Sequence, residues 1–361
     1  MTPDVHTETA PTEIASVDPI VTANIYCSRR LDDLVKGAIV PFWNEVDDDA
    51  KAAGCRLWLM RYAKRGEHLK VRIHGPDAYK DRLGAALEEA VSSYFDASAG
   101  TVGEWLSNPA IPPIDAEDES QEDHEDRSLL LTNYRRSPVC LGEPTFCDDD
   151  RHVGLFCQAM AAQADLLLDR LAPYSGDATF SQRRQNLLIQ QIISGLGAVG
   201  FDDAELTDYV RYHRGWLTRS LVSKGDARST SEQSVAAFYR GKLGRMGRAI
   251  DGLGRLLAAR QVTGESGDPL MDRWRRAMAE LFDHVKAYRG NPSYDFDPYT
   301  DDHAFLPIYK VLHLGANQLG LRISSEVFVY YLLGAAVGVD ESPGDAASDR
   351  PAAAAEQGAS A

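Results

Sequence analysis

"CRLWLMRYAKRGEHLKVRIHG", residues 55–75, decides the fold class. Apolar and polar side chains alternate on either side of a Gly-containing turn, a period of two that predicts paired strands over Arg56–Tyr62 and Glu67–His74. Upstream, "IVTANIYCS" (20–28) has the β-branched and aromatic content of another strand, and "LDDLVKGAIVPFWNEVDDDAKAAG" (31–54) predicts a helix. Downstream, "AYKDRLGAALEEAVSSYF" (78–95) places Leu83, Ala86, Leu87 and Ala90 on one helical face. Strand, helix, hairpin, helix is the order of an α+β layer, in which helices cover one face of a mostly antiparallel sheet. "SLLLTNYRR" (128–136) predicts a further strand.

From about residue 149 the period becomes helical. "CDDDRHVGLFCQAMAAQADLLLDRLAP" opens with three Asp residues, favourable at the positive end of a helix. Further helices are predicted over 182–195, 203–222, 231–259, 270–288, 307–319 and 324–337. The expected organisation is a disordered arm (1–18), one folded domain (19–338) and a disordered tail (339–361). The domain divides into a sheet-rich part (19–145) and a helical body (146–338). Within the first part, "DAEDESQEDHED" (115–126) carries eight acids and reads as an exposed loop.

The 361 residues are 44% hydrophobic, enough for a sizeable core, and carry a formal charge of −16 from 54 acids and 38 bases. That balance argues against a nucleic-acid binder, so neither DNA nor tRNA is expected as a partner. Residues 211–276 run the other way, with fourteen Arg/Lys against six Asp/Glu, which suits a solvated helix surface or an anionic partner such as an acidic peptide segment. Five irregularly spaced cysteines, no signal-like start and no long apolar run predict a reduced, cytoplasmic protein without a membrane span.

Two motifs invite a cofactor reading and fail it. "GLGAVG" (195–200) satisfies G-x-G-x-x-G, but a helix precedes it where a dinucleotide site needs a strand; a helix C-terminus with a tight turn is expected instead. Cys147, His152 and Cys157 lack a fourth ligand and the short spacing of a structural zinc site. No cofactor and no metal is expected.

"PIYKVLHLGANQLGL" (307–321) is apolar enough for a core helix yet holds Tyr309, His313 and Asn317 one turn apart, beside a packing ridge of Ile308, Leu312, Gly315 and Leu319. Burying such groups unpaired costs roughly 1–3 kcal/mol each, so the polar face is either internally satisfied or turned to a site. His313 is the leading candidate for proton transfer, since imidazole titrates near neutrality. The preceding "NPSYDFDPYTDDHAFLP" (291–307) offers Ser293, Tyr294 and Tyr299 as hydrogen-bond donors. Lys70 and Arg72 alternate onto one sheet face, where they can hold a carbonyl or an anion. Tyr212 and His213, in "RYHRGW" (211–216), are further candidates.

"LWLMRYAKRGEHLKVRIHG" (57–75) resembles a segment of the glutamate-elimination domain of lantibiotic dehydratases and of their stand-alone relatives in thiopeptide biosynthesis. There the pattern is an aromatic residue, Arg-Tyr, a turn, then His-Leu-Arg-x-Arg. Arg61, Tyr62, His68, Leu69 and Arg72 match, and Lys70 replaces the first Arg. "NYRRSPVCLGEPTFCDDD" (133–150) is similar to the next landmark, with Tyr-Gly-Gly altered to Cys140, Leu141 and Gly142. A Leu-His-x-x-x-Asn-Arg-Leu helix is matched by Leu312, His313, Asn317 and Leu319, with Gln318 in place of Arg. The three landmarks keep their order across residues 20–338.

The elimination domain uses arginines for the glutamyl carboxylate and a His for proton transfer. Lys70 keeps a charge without the two-pronged fork and Gln318 keeps neither. A stand-alone chain with these changes looks like a thiopeptide pyridine synthase. The resemblance implies a macrocyclase that joins two dehydroalanines of a leader-bearing precursor peptide in a formal [4+2] cycloaddition, then releases water and leader. For that chemistry the candidate catalytic residues are His313, Tyr309, Tyr299 and Ser293, and the candidate substrate-binding residues are Lys70, Arg72, Asn317, Gln318, Tyr294 and Tyr212. The precursor peptide is the expected partner, with other enzymes of the pathway beside it. Alternative readings are a split glutamate-elimination subunit or a non-catalytic leader-binding scaffold.

Overall fold

The computed structural model describes residues 18–27, 31–62, 67–98, 128–132, 150–170, 180–223, 231–260, 267–288 and 305–339. The predicted hairpin is present as β2 (Arg56–Tyr62) and β3 (His68–His74). β1 (Val21–Tyr26) pairs antiparallel with β3 and with β4 (Ser128–Thr132), giving a four-stranded sheet in the order β2-β3-β1-β4. Alternation sends Ala23, Ile25, Leu57, Leu59, Leu69, Val71 and Ile73 into the core. Leu83, Leu87, Val91 and Phe95 of α4 (Lys80–Ser98) join the same core. The expected α+β class holds.

The helix expected over 31–54 is broken. It runs as α1 (Leu31–Leu34), a wide π turn (Val35–Ile39), α2 (Val40–Glu45) and α3 (Asp48–Ala52). Pro41 has no N–H to offer the carbonyl one turn earlier, and the chain widens instead, with the Val40 N–H reaching Val35 O. Gly37 lies in that turn against Tyr94, whose ring would stand 2.5 Å from any Cβ placed there. Asp47 then caps α3, accepting from the Ala50 N–H at 2.8 Å.

The helical body comprises α5 (Asp150–Arg170), α6 (Phe180–Ala198), α7 (Asp203–Ser223), α8 (Glu232–Leu243), α9 (Gly247–Ala258), α10 (Pro269–Tyr288), α11 (Phe305–Gln318) and α12 (Ile323–Ala336). The single helix expected over 231–259 is two, because Gly241, Gly244 and Gly247 fall within two turns and weaken the ladder there. α10 packs on α5 and α6, α12 lies against α7 and α9, and β2 abuts α5 and α11. The sheet and the helical body thus meet along the outer strand.

"GLGAVG" ends α6 as expected. Phe201 N–H bonds Leu196 O and Gly200 N–H bonds Gly197 O, with Gly200 at φ +74, which is a Schellman cap. Gly197 is also where the Arg260 carbonyl crosses, 2.3 Å from where a Cβ would stand. The same cap closes α11, with Leu321 N–H on Ala316 O, Gly320 N–H on Asn317 O and Gly320 at φ +67. This second cap turns the chain so that Glu326, in the first turn of α12, meets His313 on the polar side of α11.

Candidate active site

Tyr309, His313 and Asn317 lie one turn apart on α11, and each has a different surrounding. The ridge residues Ile308, Leu312 and Leu319 are buried. His313 keeps a third of its side chain exposed and holds its Nδ1 at 2.8 and 3.0 Å from the two carboxylate oxygens of Glu326. Glu326 is buried and stands in the first turn of α12, where the helix's positive end favours a carboxylate. His313 is therefore neither sealed among hydrocarbon groups nor loose on the surface.

The imidazole ends a column of stacked rings. His213 of α7 lies on Tyr309 at 4.1 Å and 6° between planes, and Tyr309 lies toward His313 at 5.5 Å and 18°. Trp216, one turn beyond Tyr212 on α7, stands edge-on to Tyr309 at 5.0 Å and to His313 at 6.1 Å. Tyr212 meets the edge of His213 at 5.0 Å, and both Tyr212 and Trp216 are exposed. Beneath the column the hydroxyls of Tyr209 and Tyr330 share a hydrogen bond of 2.9 Å.

Burial controls the chemistry of the column's inner end. The His213 imidazole is held far below its ordinary value by burial, with the neighbouring His313 charge acting the same way. The Tyr309 phenol is pushed well above the phenolic range by burial and then by the Glu326 carboxylate. Neither ring nitrogen of His213 nor the Tyr309 hydroxyl has a hydrogen-bond partner among the described residues. His213 stays neutral and Tyr309 stays protonated at neutral pH, leaving His313 as the column's exposed, hydrogen-bonded imidazole.

Asn317 belongs to the junction with the sheet. Its Oδ1 accepts the Arg61 N–H at 2.8 Å and its Nδ2 donates to the Arg61 carbonyl at 3.0 Å. The Arg61 guanidinium reaches Asp32 at 2.5 Å, Asp32 also pairs with Arg184, and Arg184 donates to Gly320 O at 3.0 Å. Burial raises the Asp32 carboxyl, but the two guanidiniums outweigh it and hold the group below its ordinary value.

These contacts occur within a matched family. The family model described as "Lantibiotic biosynthesis dehydratase C-term" matches residues 21–337. The chain belongs to this family. Among solved structures it is similar to "Pyridine synthase, TbtD, from thiomuracin biosynthesis", with a TM-score of 0.58 and 15% identity over 88% of this chain and 98% of that one. It is also similar to TsrL, with a TM-score of 0.52 and 14% identity over 87% and 93%. The tRNA-dependent lantibiotic dehydratase MibB from Microbispora sp. 107891 is 17% identical over 93% of this chain and 29% of that one, with a TM-score of 0.49. Comparison with curated protein sequences finds no match. At these identities the likeness is one of fold.

The departures from the lantibiotic-dehydratase pattern now have positions. Gln318 is buried against α5, its Nε2 donating to Met160 O at 3.2 Å, and sits about 140° around the helix from His313. Lys70 is half-buried and Arg72 buried on β3, where Arg72 pairs in register with Thr22 and Trp58 and donates to Val71 O at 3.1 Å. Lys70 stands opposite Met60, next to the Arg61 that Asn317 holds, so strand and helix are tied within one residue of it. Ser293, Tyr294 and Tyr299, like Cys140, Cys147 and the acidic run 115–126, lie outside the described residues.

Glu326, Trp216 and Asp32 were missed in the sequence. Glu326 had one signal: it is the only charged residue in "ISSEVFVYYLLGAA", an otherwise uncharged helix. Among the described residues no group of three or more His, Cys, Asp or Glu can hold a metal ion, and no helix is long and apolar enough to cross a membrane.

Proposed function

We propose that this chain is a thiopeptide macrocyclase that builds the central pyridine of its product from two dehydroalanines of a leader-bearing precursor peptide. One dehydroalanine amide takes its imidic-acid form and supplies a four-atom azadiene; the second supplies the two-carbon partner. Two carbon–carbon bonds close the ring, and elimination of water and of the leader as its carboxamide gives the aromatic product. No oxidant is needed, since two eliminations add two double bonds to the one already in the ring.

The observation that carries this reading is the surface-reaching His313, tied through Nδ1 to a buried carboxylate and walled by Trp216, in a lantibiotic-dehydratase family member. Supporting it, Gln318 stands where the resemblance has an arginine and is turned into the core, which suits a reaction with no glutamyl carboxylate to hold. The closing of a flexible chain is chiefly a matter of positioning, worth up to about 7–11 kcal/mol of barrier. His313 then contributes the roughly 10²- to 10⁴-fold of a placed acid or base. Lys70 and Arg72 are proposed to hold a backbone carbonyl or anionic group, Tyr212 to line the approach, and Ser293, Tyr294 and Tyr299 to donate hydrogen bonds to amide oxygens. We assign Tyr309 to holding His313 in place, Asn317 to tying α11 to β2, and Gln318 to packing.

The test is incubation of the full chain with a synthetic bis-dehydroalanine peptide bearing its leader, read by mass spectrometry. Expected is a product lighter by the leader carboxamide and one water. Loss of glutamic acid from a glutamylated serine peptide would establish an elimination subunit instead. Binding of the leader with no mass change in either substrate would leave a scaffold.

A further inference from the structure

Glu326 is unusual in its isolation. It is the only charged residue of α12, it is buried, and His313 Nδ1 is the sole hydrogen-bond partner of its carboxylate among the described residues. Stability alone does not account for such a group, because the desolvation of a buried ion pair commonly cancels its attraction. Its effect on the imidazole is definite. An ionised carboxylate only accepts hydrogen bonds, so Nδ1 must carry a proton, and in the neutral ring the lone pair then lies on Nε2.

The surrounding rings fix the direction of that lone pair. Tyr309 lies nearly parallel to the imidazole and Trp216 meets it edge-on at 79° between planes, so the ring is restrained on a face and on an edge. The Gly320 cap sets the return path of the chain, and 13 residues separate the two partners. Nε2 has no hydrogen-bond partner among the described residues.

We propose that Glu326 is a positioning residue: it locks His313 as the Nδ1–H tautomer and presents Nε2 as the base that starts the reaction. The inference rests on the macrocyclase reading for the identity of the proton. Nε2 removes the N–H proton of one dehydroalanine amide and returns it to the amide oxygen, which converts the amide into its imidic-acid form with no net gain or loss of protons. Glu326 touches no substrate and acts only through His313.

The test separates tautomer from turnover. Nitrogen NMR of the full chain with ¹⁵N-labelled imidazoles, with His313→Asn to assign the signals, reads the protonated nitrogen directly and needs no substrate. Expected is the Nδ1–H form alone in the native chain and loss of that exclusive preference in Glu326→Gln, whose amide can either accept from or donate to Nδ1. With the bis-dehydroalanine peptide, Glu326→Gln is expected to lower kcat by about 10²-fold or more with KM within about threefold, and Glu326→Asp to restore part of kcat. An Nε2–H signal in the native chain, or an unchanged kcat in a folded Glu326→Gln, overturns the proposal. If Glu326→Gln fails to fold, the native signal and Glu326→Asp still decide it. Should the native chain make no pyridine while showing Nδ1–H, the reaction reading falls and the role of Glu326 toward His313 stands.

Discussion

The Asn317 side chain pairs with both backbone groups of Arg61, accepting its N–H at 2.8 Å and donating to its carbonyl at 3.0 Å. Among the described residues β2 is an outer strand of the sheet, so these two groups have no neighbouring strand there to bond on that side. A helix side chain thus supplies what a fifth strand would. Asn317→Ala is expected to lower unfolding free energy by about 2 kcal/mol, roughly 1 per hydrogen bond lost, measured by urea denaturation. Asn317→Asp keeps the acceptor, faces the carbonyl with a charge, and is expected to fall no closer to the native value than the alanine variant.

Asp32 pairs with two arginines, Arg61 and Arg184, and its removal leaves like charges facing each other. Asp32→Asn is expected to cost about 2–3 kcal/mol, below the value for a fully buried pair because part of the cluster meets solvent. The sign with pH follows from its lowered carboxyl. That contribution is complete above the unfolded value near 4 and disappears as pH falls through the lower folded value. Stability curves of the native chain and the variant should therefore converge in acid.

Gly320 sits at φ +67 with Arg61 Cζ 2.6 Å from where a Cβ would stand. Gly320→Ala adds a left-handed penalty of about 1 kcal/mol to that clash and is expected to destabilise by about 2 kcal/mol or more. Because the turn brings Glu326 to His313, activity should fall further than stability explains. Comparing residual activity well below the melting temperature with Asn317→Ala, of similar cost, checks this.

Trp216 is more than a third exposed and makes its ring contacts on the site side. Trp216→Ala is expected to leave unfolding free energy within about 1 kcal/mol of native while raising KM for the peptide substrate about 5- to 10-fold. A change in kcat without a change in KM would place the ring outside the binding surface.

His213 supplies a pH dependence of the opposite origin to an ion pair. Its folded value lies well below the unfolded value near 6.5, so below that pH the unfolded chain binds a proton that the folded chain does not. Stability from this group is unaffected above about pH 7 and declines as pH falls below the unfolded value. His213→Phe keeps a ring on Tyr309 and is expected to flatten that part of the curve, read from urea midpoints of both proteins across the range.

The hairpin of β2 and β3 was legible because alternation reports a half-buried strand directly, and the Tyr309, His313, Asn317 face because a spacing of four reports one side of a helix. What stayed hidden depended on contacts from elsewhere. Glu326 reaches His313 only through the glycine turn that joins α11 to α12, and Asp32 meets Arg61 and Arg184 across 29 residues in one case and far more in the other. The burial of Gln318 needed α5, whereas the break in the first helix follows from Pro41, which stands in the sequence itself. Periodicity placed the polar side chains on a face; it carried no information on which helix would answer each one.

The His313–Glu326 pair and the turn between them come from one uninterrupted stretch of chain, whereas Lys70 and Arg72 come from a strand more than two hundred residues earlier. In the proposed reading, acid–base pair and peptide grip would thus be inherited on separate segments, coupled through the Asn317–Arg61 joint.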